Sequence, residues 1–409
     1  MSRCVRLLIS VVCLGPLLDP VLAGPAREDL EAAAKSVLSV GSEGQGNETA
    51  SAAWKVLASA QPDQLSILFT SLDQAGPVPA NYLRSAIEVA IEHLDASQRP
   101  PVTTLLREIL LNRSRSFSSR NLAFEAIGST SPGLRETLLP EMRDDPSEFL
   151  RRESVQQLLE QAKSTQVEAS SRSLLQQALQ HARDPEQVQE IAKRLEKMGA
   201  PVDLPRHFGF LTHWQVIGPF DNSKREGFAR VEAPEKDPDL TKTYPGKHGP
   251  ASWKPFATPD PFGKVDFNQA LGTEKEVLGY ALAEFVSEGT REVELRLGTK
   301  NAWKLWLNGK LLFDRDEYHR GQRIDQYRIK ASLQSGKNLI LVKCCQNEEV
   351  KAWTVEWEFQ LRVCDATGTA VLAANRLPTP KPDVARRPPP AAAATTPASS
   401  PVSVPAPAK

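Results

Sequence analysis

Residues 300–365 constrain the fold more than any other stretch of the chain. Apolar side chains occupy alternate positions on both sides of Asn308-Gly309: Trp303, Leu305 and Leu307 before it, Leu311 and Phe313 after it. Period-two alternation predicts strands with one face in a core, and Asn-Gly between two such runs predicts a tight hairpin. This stretch therefore predicts an antiparallel β-sandwich.

Further strands are predicted on both sides of this hairpin. The run Leu339–Cys344 is apolar on both faces, which is typical of a strand in the middle of a sheet. An alternation of six apolar residues predicts another strand, with its tryptophans in the core: Trp353, Val355, Trp357, Phe359, Leu361 and Val363. With runs nearer residue 207, this gives about eight strands, as in a jelly roll.

The first half of the chain is helical by pattern. From residue 26 to about 200, apolar residues recur at i, i+3, i+4 and i+7, and Pro and Gly separate the runs. Arg84, Arg120 and Arg152 each precede an apolar helix, at a spacing that suggests stacked two-helix units. The expectation is an α-solenoid in which these arginines are structural, with a non-repeating helical bundle as the alternative.

The length of 409 residues and the two ends of the chain suggest two domains with processing and linker segments. A positive start, an apolar stretch at Leu7–Leu18 and small residues before Gly24 predict a signal peptide cleaved after Ala23. No later segment is apolar enough to span a bilayer, so a secreted or periplasmic protein is expected. Residues 376–409 contain ten prolines and are expected to be a disordered tail.

Charge and cysteine content argue against a nucleic-acid-binding protein and against a disulfide-linked fold. The chain has 50 basic and 50 acidic residues, which argues against a nucleic-acid partner. A hairpin joining the strand that ends at Cys345 to the one that starts near Trp353 would place Cys364 opposite Gln334. Cys364 would then lie about 33 Å from Cys344, too far for a disulfide. The cysteines are therefore expected to be buried free thiols.

Several motifs carry a family resemblance. In order they are Trp214–Phe220, Gly263–Phe267, Trp306–Lys310 and Gly336–Lys343. Together they resemble the galactose-binding-like sandwich of secreted bacterial proteins, which implies a jelly roll with an accessory, non-catalytic role over residues 207–375. The run Leu138–Arg152 resembles a HEAT repeat, a family in which a turn aspartate and a following arginine form a ladder.

These expectations divide the chain into four parts. They are a signal peptide (1–23), a HEAT-like helical domain (24–204), a galactose-binding-like β-sandwich (205–375) and the tail (376–409).

The candidate site lies around the Asn308-Gly309 hairpin. Trp306 projects opposite to Trp303, so it either covers the second sheet face or serves as a platform for a sugar ring. The polar loop after the hairpin contains Asp314, Asp316, Tyr318, His319 and Arg320. Aromatic, carboxylate and guanidinium groups together suit carbohydrate binding. An ordinary solvated loop is the alternative.

The motifs of common enzyme classes are missing from the sequence. It contains no HExxH, GxSxG or phosphate-binding GxxxxGK[ST] motif, and no cysteine or histidine spacing typical of a metal site. The leading hypothesis is a non-catalytic binding or scaffold protein that needs no cofactor or metal and recognises carbohydrate or an extracytoplasmic protein. The alternatives are a carbohydrate-active hydrolase with an unrecognised carboxylate pair and a purely structural envelope component.

Overall fold

The computed structural model describes residues 24–381. The predicted signal peptide and residues 382–409 of the predicted tail lie outside this range. Within it, no helix combines the length and the apolar character needed to cross a membrane. The chain divides into two compact units between Asp184 and Pro185. The boundary predicted from the sequence follows residue 204.

The helical first half is confirmed. Within the described residues, the first unit contains nine α-helices: α1 (Arg27–Leu38), α2 (Asn47–Ala58), α3 (Leu65–Gln74), α4 (Pro77–Glu92), α5 (Arg99–Leu111), α6 (Phe117–Thr130), α7 (Pro132–Leu138), α8 (Glu148–Ser164) and α9 (Glu168–His181). Their apolar stripes are buried, as at Leu83, Ile87 and Ala90 of α4. Pro77 begins α4, where a missing N–H costs nothing.

The three arginines of the predicted ladder all pair with carboxylates of this unit. Arg120 and Asp145 are both 1% exposed and share two hydrogen bonds, of 2.9 and 2.5 Å. Arg84 pairs with Glu125 at 2.5 Å, and Arg152 lies 3.4 Å from a carboxylate oxygen of Asp184. Removing one partner of the buried pair would be the most costly change, because it leaves a buried charge uncompensated, whereas exposed pairs contribute little.

The second unit is rich in strands, as predicted. Its twelve strands within residues 24–381 are β1 (His213–Asp221), β2 (Thr243–Gly246), β3 (Gly249–Ser252), β4 (Lys254–Ala257), β5 (Val265–Asp266), β6 (Val277–Ser287), β7 (Arg291–Thr299), β8 (Ala302–Leu307), β9 (Lys310–Arg315), β10 (Tyr327–Leu333), β11 (Gly336–Gln346) and β12 (Glu358–Cys364). Four helices accompany them: α10 (Pro185–Lys197), α11 (Leu204–Phe208), α12 (Ala233–Lys236) and α13 (Phe267–Leu271).

The strands form antiparallel sheets. One sheet has the order β4-β1-β6-β11-β8-β9, a second has β10-β7-β12-β5, and β2 and β3 pair separately. Side chains from both larger sheets share one core, which we call the inner core. It includes Trp214, Phe285, Leu295, Trp303 and Leu361, all buried. Trp303 stacks on Phe313 with ring centroids 5.2 Å apart.

The predicted hairpin and central strand are confirmed. Leu307 pairs with Lys310 across the turn, and Asn308 and Gly309 have φ angles of 53° and 78°, the positive values that the turn needs. Strand β11 lies between β6 and β8, so both of its edges are paired, and side chains on both of its faces, such as Leu341 and Val342, are buried.

The opposite face of the six-stranded sheet is also apolar. Its buried side chains form the outer-face cluster, which includes Leu278, Tyr280, Trp306, Leu341 and Cys345. The chain between β1 and β4, residues 222–253, covers this cluster, and we call it the excursion. Residues 221–251 are rich in proline, charge and glycine with little periodicity, a composition that predicts a long irregular loop. The excursion instead contains α12, β2 and β3 and contributes buried Tyr244 and Ala251 to the cluster.

A buried lysine holds the excursion to the sheet. Lys343 of β11 is fully buried, and its Nζ donates to Glu235 Oε1 and to the Arg230 carbonyl oxygen, both at 2.8 Å, and to the Phe228 carbonyl oxygen at 3.3 Å. The hydroxyl of Tyr280 donates to the same Glu235 oxygen at 2.6 Å. The fixed charge of Lys343 therefore depends on groups that only the excursion supplies.

One predicted strand begins five residues late. The alternation from Trp353 predicts a strand there, but β12 starts at Glu358 and Trp353 lies in a 3-10 turn with its side chain 54% exposed. Thr354 is buried, and its hydroxyl donates to the Glu349 carbonyl oxygen at 2.7 Å, while Gln346 Nε2 donates to the Thr354 carbonyl oxygen at 3.1 Å. These bonds stabilise the turn, so the prediction that Trp353 is a core residue is wrong.

The predicted β11–β12 hairpin is also wrong. Strand β12 pairs with β7 and β5, whereas β11 pairs with β6 and β8 in the other sheet. Cys364 therefore lies opposite Glu294 rather than Gln334. All three cysteines of the described residues are free thiols and buried.

The start of the predicted tail belongs to the β-rich unit. Arg376 Nη1 donates to the Phe210 carbonyl oxygen at 2.8 Å, and Thr379 donates to Asp203 at 2.8 Å. The composition of residues 376–409 is dominated by the proline-rich part after Lys381, so it does not reveal these contacts.

Candidate functional site

Three loops meet beyond the ends of β1, β9 and β11. They are residues 222–230, 316–326 and 347–357. Asn222 Nδ2 donates to the Tyr318 hydroxyl at 3.2 Å, His319 Nε2 and Asn347 Oδ1 lie 2.9 Å apart, and Arg225 pairs with Glu348 at 2.5 Å. Each loop thus contacts another through side chains. We call the group Arg225, Tyr318, His319, Lys351 and Trp353 the loop-end cluster.

Buried amide side chains form the base of this cluster. Asn222, Gln346 and Asn347 are fully buried, and Asn301 is 2% exposed. Gln346 Oε1 accepts from Asn301 Nδ2 at 3.3 Å, and Asn222 Nδ2 donates to the Gln346 carbonyl oxygen at 3.0 Å. A hydrogen-bonded base of this kind restricts the loops above it, because moving one loop leaves buried amides unpaired.

Trp353 is the most exposed aromatic group of the cluster. Its ring centroid is 5.3 Å from that of His319, at an interplanar angle of 90°, and Lys351 Nζ lies 5.3 Å from the indole centroid. The indole is therefore oriented by neighbours although half of it faces solvent. The signal in the sequence that could have revealed it is the polar run Asn347–Lys351, which interrupts the strand pattern before it.

The charges of the cluster are arranged around Arg225. Its guanidinium lies 5.1 Å from the Tyr318 ring centroid and within 3.8 Å of Glu349 as well as pairing with Glu348. The hydrogen bond from Arg225 lowers the pKa of Glu348. Burial raises the pKa of Tyr318, so its hydroxyl stays neutral and can still donate a hydrogen bond. Lys351 has no carboxylate partner among the described residues.

The structure brings only part of the predicted site together. Tyr318 and His319 belong to the loop-end cluster. Asp316 lies close to Arg225 and Lys304, and burial raises its pKa while those two cations oppose the shift. Arg225, Lys351 and Trp353 were not predicted, because they come from loops far apart in sequence.

The other predicted site residues do not belong to the loop-end cluster. Trp306 is 6% exposed and belongs to the outer-face cluster, so it covers the second sheet face, one of the two roles expected for it. Asp314 is on β9, paired in register with Lys304. Arg320 is exposed and lies 3.4 Å from Glu317.

The cluster combines the groups that sugar recognition uses. A partly exposed indole can pack against the apolar face of a sugar ring, and a fixed guanidinium, imidazole and carboxylates can bond its hydroxyls. Within residues 24–381, no three histidine, cysteine or acidic side chains lie together in a way that could hold a metal ion.

Comparisons with known proteins give little further information. No protein-family model and no curated protein matches this chain. Among solved structures, a β-glucosidase from Kluyveromyces marxianus matches 37% of this chain with 11% identity and a TM-score of 0.24. A β-glucuronidase from Faecalibacterium prausnitzii matches 38% with 14% identity and a TM-score of 0.21. The chain covers 16% and 31% of those enzymes. Likenesses at these TM-scores define neither a fold nor a function.

Proposed function

We propose that this chain is a non-catalytic binding protein whose β-rich unit recognises carbohydrate at the loop-end cluster. The observation that carries the proposal is Trp353, an indole 54% exposed yet held by His319 and Lys351. Aromatic side chains are enriched among the residues that supply most of the binding energy at interfaces and among those that line ligand sites.

The proposal extends to the two folds. We assign the β-rich unit to the galactose-binding-like jelly rolls, which is supported by two antiparallel sheets with a common core. We assign the first unit to the HEAT-like solenoids, which is supported by its Arg–carboxylate pairs at Arg84, Arg120 and Arg152. In this view the helical unit is a scaffold or a surface for a protein partner, and the N-terminal sequence directs the protein out of the cytoplasm.

A protein ligand at the same loops is the second candidate. Val350 is 82% exposed and Val355 49% exposed, on the same loop as Trp353. Aliphatic side chains around an exposed tryptophan are typical of protein interfaces, where aromatic anchors dominate the binding energy. A sugar ring would need Trp353 but not the two valines.

Glycan-array binding by the full chain and by Trp353→Ala tests the proposal. We expect the substitution to weaken binding by about thirtyfold, the effect of losing an anchor worth about 2 kcal/mol. Phe117→Ala is the matched control, because Phe117 is also 54% exposed but lies in the helical unit. Unchanged melting temperatures in both variants would exclude unfolding as the cause.

The outcomes separate the two candidates. Glycan binding that survives Trp353→Ala contradicts the assigned site. If the array is empty, and a protein partner binds the full chain but not a Val350→Asp, Val355→Asp double variant, the carbohydrate proposal fails in favour of the protein candidate.

A further inference from the structure

A groove in the β-rich unit lies apart from the loop-end cluster. It has a volume of about 470 Å³ and is lined by the start of β1, by β4 and β6, by Leu240 of the excursion and by residues 373–377. The groove and the loop-end cluster lie at opposite ends of β1. The first residue of β1, His213, lines the groove, and the last, Asp221, precedes a loop of the cluster. The volume lies within the range of small-molecule sites.

Two basic side chains of the groove have unused hydrogen-bonding atoms. His213 Nδ1 lies 3.1 Å from the Thr212 hydroxyl, and its Nε2 has no partner among the described residues. Arg376 Nη1 donates to the Phe210 carbonyl oxygen, but Nη2 is shielded from solvent and has no partner in the described part of the chain. A guanidinium nitrogen cut off from water gains more from a new acceptor than a hydrated one does.

Arg376 supplies the positive charge beside His213, and the carboxylate of Asp203 lies near Arg376. Burial lowers the pKa of His213, and the positive charge of Arg376 lowers it further, so the two groups are close enough to repel one another when both are charged. The groove also contains Glu284, whose carboxylate is paired with Lys337 at 2.5 Å. Because its pKa is lowered, His213 is uncharged at neutral pH, and a negative charge placed beside Arg376 would favour its protonation.

The remainder of the groove is apolar and open to solvent. Leu240 and Leu377 are 48% and 57% exposed, and Phe256 and Leu282 line the wall beside them. Two exposed leucines on different segments that face one groove suit a ligand with an apolar body.

We propose that this groove binds a small amphipathic carboxylate, with the carboxylate at His213 and Arg376 and the apolar body along Leu240, Phe256 and Leu377. The site is independent of the proposed carbohydrate site, because it shares no residue with the loop-end cluster. The carboxylate proposal and the carbohydrate proposal can therefore be refuted separately.

Calorimetric titration of the full chain with octanoate and with octanamide tests the proposal. The two probes have the same apolar body and differ in charge, so the carboxylate is expected to bind about tenfold more tightly or better. Arg376→Gln should remove this preference and leave octanamide binding unchanged. Lys330→Gln is the matched control, because it removes a basic side chain from β10, outside the groove.

A second variant keeps the test valid if Arg376→Gln does not fold. Leu377→Glu changes an exposed position and adds a negative charge at the rim, so it should weaken octanoate binding by about tenfold or more and affect octanamide less. Equal affinity for the two probes, octanoate binding unaffected by Leu377→Glu, or no binding of octanoate would each overturn the proposal.

Discussion

Replacing Lys343 by methionine should release the excursion from the six-stranded sheet. Methionine fills much of the same volume, but the three hydrogen bonds from Nζ are lost. Glu235, whose side chain is 7% exposed, then keeps a charge in a nearly dry site, where only the Tyr280 hydroxyl and the Glu232 N–H, the latter at 3.4 Å, donate to it. Removing one partner of such a buried pair costs about 3–5 kcal/mol.

Hydrogen exchange followed by mass spectrometry of peptides measures this loss of stability separately for the excursion and for the rest of the chain. Every 1.4 kcal/mol corresponds to a factor of ten. Peptides from residues 222–253 should therefore exchange faster by about two to three and a half orders of magnitude, because the excursion opens without the rest of the unit. Peptides from α1–α9 should not change.

Lys337→Met is the matched control for this experiment. It removes a lysine from the same strand, but that lysine is 61% exposed and its pair with Glu284 is solvated. Exposed pairs contribute about 0–1 kcal/mol. Adding Glu235→Gln to Lys343→Met should recover part of the lost protection, since no buried charge then remains. Exchange in Lys343→Met within tenfold of that in Lys337→Met would refute the reasoning.

Three further predictions concern stability. Arg120→Met, which leaves the buried carboxylate of Asp145 unpaired, should destabilise the helical unit by about 3–5 kcal/mol in urea unfolding followed by circular dichroism. Burial would raise the pKa of Asp325, but the bonded guanidinium of Arg362 outweighs it and lowers the pKa. The unfolded chain therefore binds more protons below about pH 4, so stability falls there, and Asp325→Asn should flatten this acid limb in melting curves. Gly309→Ala should cost about 1 kcal/mol in thermal unfolding through φ alone, because an added Cβ meets no atom; an equal stability would contradict the turn assignment.

The sequence predicts correctly the strands whose own side chains are buried in a regular pattern. Alternation is visible when one face is buried, as at Trp303, Leu305 and Leu307, and a continuous apolar run is visible when both faces are, as in β11. The hairpin at Asn308-Gly309 was predictable because its geometry depends on two adjacent residues.

The wrong predictions concern segments whose structure depends on residues distant in the sequence. Trp353 continues the alternation of β12, but the buried Thr354 and Gln346 hold that segment in a turn. Alternation also does not specify a partner, so it could not show that β12 pairs with β7. Such pairings depend on the whole sheet rather than on local pattern.

The candidate site was only partly predictable, because one of its loops has a recognisable composition and the others do not. The polar composition of residues 314–320 predicted Tyr318 and His319 as candidate ligand-binding residues. Their partners come from other loops, and Asn222 and Tyr318 are 96 positions apart. Only the sheet order brings these loops together.

The apolar outer face of the six-stranded sheet has a consequence for solubility. Trp306, Leu278 and Leu341 are buried there beneath the excursion. In a chain shortened between residues 222 and 253, these side chains would form an exposed apolar patch. Copies of such a chain would associate through this patch. The excursion therefore keeps an apolar face of the sheet out of water.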